Sequence, residues 1–179
     1  MSMRTSEEVA TVKLGGKDFS IPDAEAFCRR FANGFFWIAG LSLINMVALA
    51  TDADFTMTLG LGVPLLVQVR AMAAGDDGGM LMSYLIGGGA TALFIFLGMR
   101  ARRIARWPFV LGMSLYAVDS LIFLAIQDWV SFGFHLFWLW FLSVGLKSVP
   151  PILAARRQAV PQAAAMPVGE VPAFLREPH

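Results

Sequence analysis

The sequence predicts an all-α integral membrane protein, with four transmembrane helices and a re-entrant or interfacial helix at about residues 56–72. Charged residues make up only 15% of the 179-residue chain, against about 25% in ordinary soluble domains. Charges are absent or nearly absent from the windows 31–50, 80–99, 107–126 and 132–150. Each window approaches the ~20 helical residues that a hydrocarbon layer of ~30 Å requires.

Residues 1–30 form a polar segment without the apolar region of a signal peptide, so the first hydrophobic helix is expected to direct insertion. In "ATVKLGGKDFSI" a Gly-Gly pair separates two short alternating runs, which predicts a β-hairpin. In "SIPDAEAFCRRF", Ser20 can cap a helix, Pro22 suits the first turn, and Asp23 and Glu25 favour its positive end. We expect a short amphipathic helix along the membrane face, leading into the first span.

The orientation follows from the loop after the second full span, "MRARRIARW", which contains Arg100, Arg102, Arg103 and Arg106. Loops rich in Lys and Arg remain in the cytoplasm. Working outwards from this loop, the segments "TDAD", "AGDDGG" and "QDWVS" face the opposite side. Both termini of the bundle, residues 31–150, are therefore predicted to be cytoplasmic.

The segment "TLGLGVPLLVQVRAMAAGDDGG", residues 58–79, begins and ends on the outer side in this arrangement. Gly60, Gly62 and Pro64 interrupt its first half, and Gln68 and Arg70 add polarity to its second. An arginine at the centre of a bilayer costs about 2.5–3.5 kcal/mol on insertion scales. A re-entrant helix packed among the spans is predicted, and five transmembrane helices remain the alternative.

The C-terminal segment, residues 151–179, is rich in Pro and Ala and has few large apolar side chains. Such a composition buries too little surface to offset the entropy of ordering. It is predicted to be a disordered tail.

Asp119 in "SLYAVDSLIF" lies in the middle of a span, where a carboxylate is rare and indicates a function or a specific partner. For a turn at Trp129, His135 lies about 6 Å from the level of Asp119, so the two could meet. The predicted intramembrane polar cluster contains Asp119, His135, Arg70, Gln68 and Asn45. The alternatives are a structural clamp or a proton or ion role for Asp119, and an interfacial aromatic belt for His135.

Several function classes are disfavoured by the sequence. A net charge of +1 gives no electrostatic case for nucleic acid, and a single cysteine, Cys28, excludes a disulfide within the chain or a cysteine-rich metal site. No metal or other cofactor is expected. "GMSLY" suggests a Ser114–His135 dyad, but the two residues differ in depth by about 13 Å, whereas a nucleophile and its base need ~3 Å.

The segments "FFWIAGLSLIN" (35–45), "LGLG" (59–62), "SLYAVDSLIFL" (114–124), "QDWVSFGFH" (127–135) and "GLK" (145–147) occur in this order. Over residues 30–150 the chain therefore resembles a family of small bacterial multi-pass inner-membrane proteins. In that family a carboxylate often follows the Gly-Leu-Gly segment, and the matching position here is Gln68. The resemblance implies a bacterial inner membrane and no particular reaction.

The expected function is that of a non-enzymatic membrane protein, an accessory or scaffold subunit in the lipid bilayer. Its expected partners are a larger membrane complex or further copies of the chain. A small proton- or ion-coupled transporter or channel using Asp119 is the alternative, and an intramembrane enzyme is disfavoured. The four arginines of the loop are candidates for binding anionic lipid head groups as well as for setting topology.

Overall fold

The computed structural model describes residues 11–51, 60–75 and 77–164. Two short strands precede a set of helices. In chain order the elements are β1 (Thr11–Leu14), β2 (Lys17–Ser20), α1 (Ile21–Ala32), α2 (Gly34–Ala50), α3 (Gly62–Ala74), α4 (Asp77–Ala101), α5 (Arg106–Ala125) and α6 (Trp129–Ala164).

Four helical segments are long and apolar enough to cross a membrane: α1 with α2, α4, α5 and α6. Many of their large apolar side chains point away from the bundle, including Leu43, Val118 and Val130. Contact of such side chains with hydrocarbon tails avoids the free-energy cost of exposing them to water. The chain is a multi-pass helical membrane protein, and the predicted fold class is confirmed.

α3 is the shorter apolar helix, and the described residues that flank its segment, Thr51 and Asp77, lie at one end of the bundle. α2 and α4 run antiparallel, because Gly98 packs against Phe36 and Gly87 packs against Met46. Thr51, after α2, and Asp77, at the start of α4, therefore lie at the same end of the bundle, which we call the far side. At 1.5 Å per residue, the 13 residues of α3 cover about 20 Å, short of a full crossing.

The prediction of four spans and one shorter helix is thus confirmed, and the five-span alternative does not fit a helix of this length whose flanking residues lie on one side. The helix begins at Gly62 and ends at Ala74, later than the predicted 56–72, and residues 56–59 lie outside the described residues. The start is displaced because the polypeptide becomes helical only after the Gly60–Gly62 elbow, where it passes close to α2 and α5.

The end of the bundle opposite the far side contains the predicted β-hairpin, and we call it the hairpin side. β1 and β2 pair antiparallel, and the turn between them has positive φ angles at Gly15 (58°) and Gly16 (84°). Two such residues make a hairpin turn whose twist matches that of the strands. Ser20 then caps α1 by accepting a hydrogen bond from the Asp23 amide at 3.3 Å, as the sequence predicts.

The C-terminal segment corrects the prediction of disorder from residue 151, because α6 continues as far as Ala164. Ile152 and Ala155 are buried in the same apolar cluster as Val12 and Ile21. α1 accordingly packs along α6 before it leads into α2. The prediction from composition considers the segment in isolation. In the folded protein, the hairpin and α1 provide an apolar surface against which residues 151–164 become helical. Residues 165–179 lie outside the described residues.

An ion pair strengthens this packing on the hairpin side. The Arg156 guanidinium donates to the Glu25 carboxylate from Nε at 2.6 Å and makes a second contact through Nη2. Arg29, one turn after Glu25, contacts the same carboxylate at 3.2 Å. The carboxylate therefore links α1 to the extension of α6.

Candidate functional site

The amino end of α3 is the point around which the buried polar groups collect. A helix begins with four backbone N–H groups that have no partner within the helix, and a lipid layer offers no water to bind them. Here the Leu61 amide donates to Ser42 Oγ at 3.0 Å. The Gly62 and Val63 amides donate to the Asp119 carboxylate at 2.7 and 2.9 Å. The fourth position is Pro64, which has no N–H, so every donor is accounted for.

The same carboxylate contacts the imidazole of His135. Asp119 Oδ2 lies 3.2 Å from His135 Nε2. Asp119 and His135 lie at the same height along α5 and α6 because the chain turns between Ala125 and Trp129. This turn is earlier than the turn at Trp129 assumed from the sequence. Asp119 and His135 are therefore equally far from their helix ends, and the predicted contact is present.

Aromatic rings enclose the imidazole. Tyr116 stacks on His135 with ring centroids 4.3 Å apart and an angle of 16° between the rings, and Phe123 lies at 4.7 Å. His135 is completely buried, whereas Trp129 and Trp140 are more than half exposed. The interpretation of His135 as part of an interfacial aromatic belt is therefore wrong, because the ring faces inward from α6 towards α5.

A short chain of hydrogen bonds continues from His135 to the far side. His135 Nδ1 lies 2.8 Å from the Ser131 carbonyl oxygen. Ser131 in turn donates its amide to Asp128 Oδ1 at 3.1 Å and its hydroxyl to Asp128 Oδ2 at 2.6 Å. Asp128 thereby caps the first turn of α6. These hydrogen bonds, the one from the Ser131 side chain above all, hold the pKa of Asp128 below its ordinary value.

Two glycines allow the elbow before α3 to reach this position. A Cβ atom on Gly62 would lie 2.7 Å from the Phe123 ring, and one on Gly60 would lie 2.7 Å from the Ser42 Cα. Real Cβ atoms do not approach other atoms this closely. Gly62 is therefore required for its amide to reach Asp119 while Phe123 packs on His135.

The other members of the predicted polar cluster lie apart from the pair. Gln68 is buried one and a half turns along α3, and its Nε2 donates to the Met46 carbonyl oxygen at 3.5 Å. Asn45 is buried beside Gly60, and neither of its amide atoms has a hydrogen-bond partner among the described residues. Arg70 lies on the exposed face of α3, about 12 Å along the axis from Gly62.

Asp119 also forms part of the wall of a cavity of about 260 Å³ between α3, α4 and α5. The rest of the wall is hydrophobic and includes Pro64, Phe94 and Leu115. The carboxylate therefore meets polar groups on one side and apolar side chains on the other. This environment strengthens the electrostatic attraction between Asp119 and its partners.

The chemistry available at this site can be compared with the sequence expectations. Ser114 lies on the exposed face of α5, whereas His135 Nε2 faces Asp119, so the two do not form a dyad. Among the described residues, no group of three or more His, Cys, Asp or Glu side chains could hold a metal ion. The arrangement is suited to accepting hydrogen bonds and to holding a proton.

The four arginines proposed for lipid contact lie where α4 turns into α5. All four are exposed, and Ile104 between them is buried with a φ of 59°. The Arg100 guanidinium lies 5.3 Å from the centre of the Phe96 ring, and Phe96 packs against Trp107. In the part of the chain that the structure describes, no carboxylate lies within ion-pair distance of these arginines.

Sequence reasoning missed three parts of the site: the α3 backbone amides, Ser42 and Tyr116. One signal for the first was present. "LGLGVP" starts a helix in an apolar setting with no Ser, Thr, Asp or Asn at its cap position. A helix that cannot cap itself, and that water cannot reach, requires an acceptor from elsewhere in the chain.

The fold and the site define a class: a multi-pass helical membrane protein in which a buried carboxylate, paired with an imidazole, caps a short helix within the bundle. Comparisons with protein-family models, with curated proteins and with solved structures give no match to this chain.

Proposed function

We propose that this protein is a non-catalytic accessory or scaffold subunit of a bacterial inner membrane, acting within a larger membrane complex or as a homo-oligomer. The observation that carries the proposal is the engagement of both Asp119 oxygens by the amides of Gly62 and Val63. A carboxylate used in this way maintains the shape of the bundle. The buried polar groups then stabilise the fold, which favours a protein that acts by binding partners through its outer surface.

The proposed architectural role of Asp119 is tested by Asp119→Asn. The Asn amide nitrogen would face one of the α3 amides, donor against donor, and leaving a buried donor unsatisfied costs about 1–3 kcal/mol. We expect a lower melting temperature in detergent. Ser120→Ala is the matched control, because the Ser120 hydroxyl bonds to Ala117 in its own helix. Equal melting temperatures for Asp119→Asn and the wild type would contradict the role.

The assembly itself is tested in mildly solubilised native membranes. We expect the chain to migrate in a complex much larger than the 19.5 kDa protomer in its detergent micelle. Migration as a lone protomer at every detergent and protein concentration would overturn the proposal.

A second function, proton- or ion-coupled transport, is favoured by the burial of two titratable groups in contact, Asp119 and His135. Such pairs occur along proton pathways in membrane proteins. In proteoliposomes this function requires a flux that Asp119→Asn abolishes while the fold remains intact. If Asp119→Asn lowers the melting temperature and the wild type shows no flux, the results favour the scaffold.

We further propose that both termini lie in the cytoplasm, with the exposed arginines of the α4–α5 turn on that side. In a Cys28→Ala background, single cysteines at Thr51, Asp77 and Arg103 test this orientation, since all three positions are exposed. A membrane-impermeant thiol reagent should label the first two in spheroplasts, and Arg103→Cys only after permeabilisation. The reverse pattern would refute the orientation.

A further inference from the structure

Both ring nitrogens of His135 face groups that accept hydrogen bonds. Nδ1 faces the Ser131 carbonyl oxygen at 2.8 Å, and Nε2 faces Asp119 Oδ2 at 3.2 Å. A carbonyl oxygen can only accept, so Nδ1 must carry a hydrogen. If Nε2 were bare and Asp119 ionised, two lone pairs would face each other, and the apolar layer would contain a net negative charge.

We propose that Asp119 and His135 form a proton-binding site, which holds one proton in the gap between Nε2 and Oδ2 and thereby fixes α3. The proton resides on Nε2, because both Asp119 oxygens already accept from the α3 amides, and the imidazolium and the carboxylate together have no net charge. That neutrality removes much of the cost of placing a carboxylate inside a membrane. The inference concerns the occupancy of the site by a proton, and it holds whether or not the protein is a scaffold.

The docking of α3 depends on the number of protons in the pair. With one proton, the carboxylate accepts from Gly62 and Val63 at the positive end of the α3 dipole. A second proton would place an O–H group against an amide donor. Removal of the only shared proton would leave Asp119 repelled by the imidazole lone pair. Either change weakens the attachment of α3 to α5 and α6.

Few other titratable groups act on this pair in the described part of the chain. Tyr116 on α5 stacks on the imidazole, and Asp128, before α6, interacts with His135 electrostatically. α3 contributes only backbone amides at this point. The proton is therefore held chiefly by Asp119, Ser131 and the end of α3.

The chain has only two histidines, His135 and His179, so His179→Gln leaves His135 as the only imidazole. Its side-chain ¹⁵N spectrum can then be recorded in the intact protein at pH 7. Because each ring nitrogen faces an acceptor, we expect the signals of two N–H groups. A bare Nε2 would overturn the proposal.

Asp119→Asn in the same His179→Gln background provides the second arm. Without the carboxylate, the buried ring has no charged partner, so we expect a neutral imidazole with a bare Nε2 at pH 7. Ser120→Ala is the control and should leave the spectrum unchanged. If Asp119→Asn folds and its spectrum equals that of the parent, the proposal is wrong. If it does not fold, the spectrum of the parent still decides.

These outcomes are independent of the proposed function. A protein that failed the assembly test could still show two protonated ring nitrogens on His135, and a protein that passed it could still show a bare Nε2.

Discussion

The Asp119 carboxylate accepts hydrogen bonds from backbone N–H groups that water would accept at the start of a helix in a soluble protein. Its two oxygens accept hydrogen bonds from the amides of Gly62 and Val63, and the Ser42 hydroxyl accepts one from the amide of Leu61. The composition of the span predicts that Asp119 needs a partner, and His135 was identified correctly. The backbone partners were not, because a backbone amide leaves no trace in the pattern of side chains, and Arg70 was considered in their place.

At the same scale, we predict that Gly62→Ala destabilises the protein. The new methyl group would lie 2.7 Å from the Phe123 ring, which also contacts His135. Overpacking of this kind costs about 1–3 kcal/mol. Thermal unfolding in detergent measures the loss of stability.

Gly40→Ala is the matched control for this substitution. A Cβ at Gly40 on α2 meets no atom of the described residues within 4 Å, and alanine favours a helix over glycine by about 0.5–1 kcal/mol. An equal loss in both variants would show that the Phe123 contact is not the cause.

Among the elements, α6 is the one that sequence patterns describe least well. Its apolar part, residues 132–150, was predicted, but its continuation to Ala164 was not. That continuation depends on the hairpin and on the contact of Arg156 with Glu25, which are distant in sequence. The hairpin and the cap of α1 were predicted because their signals are local: a Gly-Gly turn, and Ser20 before Pro22.

We predict that Asp128→Ala weakens the first turn of α6, since loss of an N-cap costs about 1 kcal/mol. The folded protein holds the pKa of Asp128 below its ordinary value. The stabilisation is therefore present above the unfolded pKa of about 3.9 and is lost as the pH falls through the folded pKa. The difference in melting temperature between the wild type and Asp128→Ala should therefore be smaller at pH 3 than at pH 7.

Asp128→Asn separates the cap from its charge, because asparagine also caps helices well. It should retain most of the stability at pH 7, and the contribution of the cap to stability should no longer depend on pH. A loss for Asp128→Asn as large as that for Asp128→Ala would assign the effect to charge alone.

For the molecule as a whole, most of the exposed arginines among the described residues lie on the hairpin side. The exposed arginines of the α4–α5 turn lie next to the apolar side chains of Phe96, Met99 and Trp107, whereas Arg70 is an exposed cation on α3. Guanidinium groups bind phosphate in a bidentate manner, and each cation near an anionic surface contributes about 1 kcal/mol.

We therefore predict that phosphatidylglycerol stabilises the purified protein more than phosphatidylcholine does. The double variant Arg102→Gln/Arg103→Gln should lose about 2 kcal/mol of this preference, and added salt should reduce it further. Arg70→Gln is the control and should keep the preference. Melting in mixed lipid–detergent micelles gives the measurement, and an unchanged preference in the double variant would contradict the prediction.

The great length of α6 has a mechanical consequence. Its 36 residues extend for about 54 Å, well beyond a hydrocarbon layer of ~30 Å. One continuous helix thus carries His135 near one end and Ala155 about 30 Å further along the axis, with Pro150 and Pro151 between them. Because prolines inside a helix remove backbone hydrogen bonds and allow it to bend, a partner that tilted the end of α6 would bend the helix at these prolines and leave the contact between His135 and Asp119 in place.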